Sequence, residues 1–126
     1  MGLDISFHRG KKTDNPDEVN NEIAYMRKHN WLLPFFHYYD NCTMKEISKA
    51  EIEIFIVNAE KILNTPKEER QNVAEAFLPT KNGFFFGDTA YDEDYFNCLE
   101  NDINQFKSIL ESTDFNTENI WMYCWW

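Results

Sequence analysis

Leu3-Asp4-Ile5-Ser6-Phe7 alternates apolar and polar side chains, a period of two that predicts an N-terminal strand with Leu3, Ile5 and Phe7 inward. The basic run His8-Arg9-Gly10-Lys11-Lys12-Thr13 reads as a loop. Asn15-Pro16-Asp17-Glu18 carries a helix start, with Asn15 as N-cap, Pro16 in the first turn and Glu18 placed to reach back. The spacing predicts a helix from there to about Asn30, with Val19, Ile23 and Met26 on one stripe and Glu22 and Tyr25 on the next. The stretch from Trp31 to Tyr39 is too aromatic for a surface helix, and Pro34 either kinks it or opens a new turn.

Residues 43–47 read as a short strand. Ser48-Lys49-Ala50-Glu51 is a capping box, followed by Ile52, Phe55, Ile56, Ala59, Ile62 and Leu63 at helical spacing. Asn64-Thr65-Pro66 ends that helix, residues 67–76 predict a short polar one, and residues 82–87 predict a strand or an irregular connection. Another helix starts at Tyr91 or Asp92 and buries Tyr95, Phe96, Leu99, Ile103, Phe106 and Leu110. Residues 120–126 read as a final strand paired with the first. The class is therefore α+β: three to four helices packed on a small sheet that joins the N- and C-terminal strands, in a single domain over residues 1–126.

At 126 residues, such a domain can bury one core without metal or disulfide support. Eleven Phe, six Tyr and four Trp make that core bulky, and buried hydroxyl and indole edges will need partners. No apolar run approaches the roughly 20 residues of a membrane span, and no signal-peptide pattern opens the chain, so a cytoplasmic protein without a membrane partner is expected. Cys42, Cys98 and Cys124 include no CxxC pair, which fits reduced, inert thiols.

The net charge of −10 is unevenly placed. Residues 1–63 carry 8 basic and 10 acidic side chains, net −2, whereas residues 64–126 carry 4 and 12, net −8. Duplex nucleic acid is excluded as a partner, because neutralising phosphates needs a cationic face. The acidity serves solubility, or it mimics a nucleic-acid surface toward a basic host protein. Exposed rings leave monomer and homodimer both open.

Met1-Gly2-Leu3-Asp4-Ile5, then Glu22-Ile23-Ala24-Tyr25 with Arg27-Lys28 and Asn30, then Leu78-Pro79-Thr80, Gly83-Phe84-Phe85-Phe86-Gly87, Thr89 and Tyr91-Asp92, form a recurring set of motifs. With the aromatic end at Trp126, they resemble a family of short proteins of phages, prophages and bacterial genomes. Members commonly carry Trp where this chain has Met26, and His where it has Leu33. The resemblance implies a mobile-element origin and one compact domain. It transfers no catalytic role.

Two constellations carry candidate chemistry. Glu22, Tyr25, Arg27 and Lys28 combine a carboxylate, a ring and two cations; they suit a polar ligand edge and an anion, or they are a surface ion pair beside a half-buried tyrosine. The second is the triple Phe between Gly83 and Gly87, followed by Asp88, Thr89, Tyr91 and Asp92. Three successive rings cannot share one face of a strand, so at least one faces away from the main core. A glycine-flanked segment leading into a helix N-terminus offers N–H groups and a stacking ring, or it is a close-packed crossing.

His29 and His37, with His8 and Asp40, match no helical metal signature and read as structural or exposed. Arg9-Gly10-Lys11-Lys12 lacks the glycine pattern of a phosphate loop. Met1-Gly2 with Ser6 matches a myristoylation pattern formally, but one acyl chain needs a second membrane signal. No cofactor signature is present.

The resulting expectation is a non-catalytic binding protein of mobile-element type. Its site lies between the cationic end of the first helix and the Gly83–Asp92 segment, where a small polar or nucleotide-like ligand stacks on Phe85 or Tyr91 and pairs with Arg27. The alternative is an acidic module that blocks a basic host partner. A hydrolase or transferase using Glu22 or Asp92 as base ranks third.

Overall fold

In the computed structural model, which describes residues 2–83 and 85–126, strand β1 (Asp4–Lys11) lies inside a four-stranded antiparallel sheet. The order is β2-β1-β4-β3, with β2 at Glu22–Arg27, β3 at Met44–Ile47 and β4 at Glu118–Trp125. The terminal strands pair as expected, from Asp4 opposite Trp125 to Lys11 opposite Glu118. Helices α1 (Leu32–Phe35), α2 (Lys49–Leu63), α3 (Lys67–Phe77) and α4 (Glu93–Ser112) complete an α+β fold. Met1 and Phe84, and with them the readings placed on those two residues, lie outside the described residues.

The helix expected over 15–30 is not there. Asn15 does cap, its Oδ1 accepting from the Asp17 N–H at 3.2 Å, but the 3-10 turn stops after Pro16–Glu18. Residues 22–27 then form β2, in which Ala24 and Met26 are buried while Tyr25 and Arg27 are exposed. That alternation matches a strand, and pairing with β1 outweighs the local cap. His8–Lys11, expected as loop, extend β1 because β4 supplies partners along their whole length. Residues 82–87 take the irregular course, with no strand among those described.

The capping box is present in full: Ser48 Oγ accepts from the Glu51 N–H, and Glu51 Oε1 accepts from the Ser48 N–H. The α2 stripe of Ile52, Phe55, Ile56 and Ala59 meets the α4 stripe of Leu99, Ile103 and Phe106 over Ile5, Phe7 and Met122 of the sheet. Phe106 stands edge-on to Phe7 at 5.2 Å and to Phe55 at 4.9 Å.

The opposite face carries Asp4, Ser6 and His8 of β1, flanked by Tyr25 and Glu22 on β2 and by Trp125, Tyr123 and Trp121 on β4. The β1–β2 connection roofs its far end. A Cβ on Gly10 would sit 3.0 Å from Val19 and 3.2 Å from the Trp121 ring, so glycine lets that connection close over the indole.

Candidate functional site

Lys28, just past β2, adopts a left-handed backbone with φ 62°. Its N–H donates to the Leu3 carbonyl at 2.8 Å, and its carbonyl accepts from the Asn30 N–H at 2.9 Å. This sharp turn sends His29, Asn30 and Trp31 into the interior, where all three are buried.

Asn30 clasps the next segment. Its Nδ2 donates to the Phe86 and Asp88 carbonyls at 3.1 and 3.0 Å, and its Oδ1 accepts from the Lys81 N–H at 2.9 Å. The Leu3 N–H adds a bond to the Phe85 carbonyl at 3.1 Å. Gly87, at φ 89°, lies against the Lys28 stem, where a Cβ would come within 3.0 Å of the lysine Cβ. The three stretches singled out in the sequence thus converge, and a cleft of about 150 Å³ opens beside them. Arg27, Lys28 and His29 line one side; Asp88, Asp92 and Asp94 line the other.

Behind the cleft, His29 Nδ1 lies 2.6 Å from Asp102 Oδ1, and Trp31 Nε1 donates to Oδ2 at 2.9 Å. Asp102 is fully buried on α4. Burial pushes its carboxyl up from the ordinary value, and the His29 and Trp31 bonds oppose that shift. The His29 ring also stacks on Trp31 at 4.8 Å. With Nδ1 committed to Asp102, Nε2 has no hydrogen-bond partner among the described residues and is not sealed from solvent. Cys98 also lines the cleft, but burial and the nearby Asp102 and Asp94 raise its thiol, which leaves it a poor nucleophile.

The expected site residues divide. Arg27, Lys28 and Asp92 reach the cleft, and Asp92 also caps α4 through the Tyr95 N–H. Thr89 and Tyr91 brace the chain behind the outer wall: the Thr89 carbonyl accepts from Thr80 Oγ1, the Tyr91 hydroxyl accepts from the Thr80 N–H, and the Tyr91 ring packs on Tyr95. Phe85 is half exposed and does not line the cleft. Glu22 and Tyr25 belong to the open sheet face, because β2 is a strand and not the expected helix. His37 and Asp40 lie elsewhere, and among the described residues no three His, Cys, Asp or Glu side chains converge as a metal set.

His8 joins Ser6 on β1, with Ser6 Oγ 2.8 Å from His8 Nε2. A nucleophile–base pair needs a group that orients the imidazole and donors for an oxyanion. His8 Nδ1 has no partner, and β1 spends its N–H groups on two neighbouring strands. The pair is a hydrogen-bonded floor, not an acyl-transfer dyad.

Sequence reading missed the His29–Asp102 pair and the Asn30 clasp. Asp102 carried a signal: a carboxylate between Leu99, Ile103 and Phe106 on the apolar stripe of α4 demands a buried donor. No protein-family model, curated protein or solved structure matches the chain. No helix among the described residues is long and apolar enough to cross a membrane.

Proposed function

We propose that this chain is a non-catalytic binding protein, of the mobile-element type its motifs resemble, and that it holds a small polar ligand in the Lys28–Asp92 cleft. The observation that carries this reading is the pairing of Arg27 and Lys28 on one side with Asp88, Asp92 and Asp94 on the other. Opposed charges suit a ligand that bears an anionic group together with donor N–H or O–H groups. His29, fixed by Asp102, adds one further polar atom of defined orientation. At about 150 Å³ the cleft is smaller than the several hundred Å³ of a typical drug-sized pocket, so it takes an amino acid, a sugar or one end of a nucleotide.

A thermal-shift panel of nucleotides, sugar phosphates and amino acids tests this, since a ligand of the native state raises Tm. Loss of the shift in both Arg27→Ala and Lys28→Gly, with the shift kept in Glu22→Gln, supports the cleft. A shift that survives both cation variants moves the ligand out of it.

A second reading rests on a separate groove of about 380 Å³ between α2, α3 and α4, lined by Glu93, Glu100 and Glu60, the last paired to Lys107, with Arg70 as the one cation among the described lining residues. It suits docking of a basic protein. Retention on a basic partner that falls steeply with salt, with no small-molecule shift, would favour it.

A further inference from the structure

The sheet face away from the helices holds two adjoining hollows of about 330 and 290 Å³, and Ser6 and Tyr123 line both. Together they form a trough across β2, β1 and β4. The β1–β2 connection closes one end through Pro16 and Val19, and Asp4 and Trp125 stand at the other.

Its lining is chemically lopsided. Tyr25, Tyr123 and Trp125 supply rings, and Tyr25 and Trp125 are 47% and 59% exposed. Asp4, Glu22 and Asp17 supply carboxylates, and among the described residues no lysine or arginine lines either hollow; Arg27, opposite Asp4 in the sheet, lines the cleft instead. His8, which also lines the trough, is shifted toward its neutral form because burial lowers its pKa. Asp4 accepts a hydrogen bond from Tyr25, whereas no hydrogen bond or ion pair holds the Glu22 and Asp17 carboxylates among the described residues. Large rings left facing water beside such carboxylates are the two halves of a cation cage: the ring faces attract an ammonium, and the carboxylates neutralise it. Anions are repelled by the same three acids.

The spacing narrows the ligand further. Asp4 sits at one end of the β1 row, and Glu22 lies opposite His8 at the other, four residues along the strand. That separation is about 13 Å, with Ser6, Tyr25 and Tyr123 between. An extended aliphatic chain with a cationic amine at each end matches it.

We propose that the open sheet face is a second site, independent of the Lys28–Asp92 cleft, for a linear polyamine. The terminal ammonium groups pair with Asp4 and with Glu22 and Asp17, while the methylene chain lies along Tyr25, Tyr123 and Trp125. The Tyr25 hydroxyl donates to Asp4 Oδ1 and steers the other carboxylate oxygen toward the ligand.

Calorimetric titration with spermidine, against 1,8-octanediol as neutral analogue and NaCl at matched ionic strength, tests the site. We expect saturable binding of spermidine and none of the diol, weakened at least tenfold by Glu22→Gln and by Trp125→Ala. Both positions are exposed, so the fold is retained, which circular dichroism verifies. Glu100→Gln on α4 controls for general acidity, and Lys28→Gly controls for the cleft; both should leave the affinity unchanged. The proposal is overturned if the diol binds as well as spermidine, if Glu100→Gln weakens binding as much as Glu22→Gln, or if spermidine does not bind.

Discussion

His29 Nδ1 and Asp102 Oδ1 stand 2.6 Å apart, joining the turn after β2 to the middle of α4 across 73 positions of sequence. The pair is buried, and the second carboxylate oxygen is taken by Trp31. One contact therefore anchors a whole wall of the cleft and fixes which imidazole nitrogen is left over. Removing either partner strands the other in an apolar interior.

His29→Phe should cost about 3–5 kcal/mol by leaving a buried carboxylate with only the indole as donor. Asp102→Leu should cost less, because it removes the fully buried carboxylate and its desolvation cost together with the two bonds. The double variant should be more stable than the sum of the two losses predicts. Urea unfolding of all four proteins gives the coupling energy; strict additivity would mean that the two side chains do not support one another.

The Asn30 clasp predicts a local rather than global effect. Asn30→Ala leaves the Phe86 and Asp88 carbonyls and the Lys81 N–H without partners, at a cost of about 2 kcal/mol or more. Besides these bonds the 81–88 segment is joined to the chain just before β1 through the Leu3 N–H and the Phe85 carbonyl, whereas the hydrogen bonds of α2 and of the β1–β4 ladder do not involve it. Hydrogen exchange should speed up at Lys81 and Phe86 while the amides of Phe7 and Phe55 keep their protection. Equal acceleration throughout the chain would contradict a local clasp.

The fold was largely legible from short-range patterns. Alternation at 3–7, the capping box at Ser48–Glu51 and the apolar stripe after Asp92 all act locally, and all three elements formed. The failure over 15–30 has one cause: Asn15-Pro16 is a true cap, but nothing local says that the turn ends after Glu18. The exposed-buried alternation of residues 24–27 competed with an equally plausible helical spacing, and only β1, far away in neither sequence nor space, decided it. The lining of the cleft was half legible, for a different reason. Lys28 and Asp92, singled out by residue type, both line the cleft; Asp102 opposite His29 is a relation between distant elements that no local pattern contains.

Lys28 separates stability from binding. A left-handed backbone costs a non-glycine residue about 1 kcal/mol, and glycine at the same place loses a similar amount through the freedom of the unfolded chain. Lys28→Gly should therefore leave stability within about 0.5 kcal/mol while removing a cation from the cleft. Gly87→Ala should do the reverse. Its φ of 89° and the nearby Lys28 stem make any Cβ strained, so melting temperature should fall without a change in charge. If Lys28→Gly instead unfolds the protein, the lysine stem is a structural strut and the cleft reading loses its principal cation.

His8 gives the stability a defined pH dependence. Burial lowers its pKa from the ordinary 6.5, while Glu22 across the sheet pulls the other way and is the weaker influence. The unfolded chain thus binds a proton near pH 6.5 that the folded chain takes up only at lower pH. Between those two values the unfolded state carries more protons, so folding stability rises with pH. This contribution is present in full above 6.5 and is lost as pH falls through the folded-state value. His8→Asn removes the titration while keeping a polar side chain beside Ser6. Urea midpoints taken from pH 7.5 down to pH 5 should fall more for the parent chain than for His8→Asn. Parallel curves would mean that His8 titrates alike in both states, and that the trough floor is wetter than its burial implies.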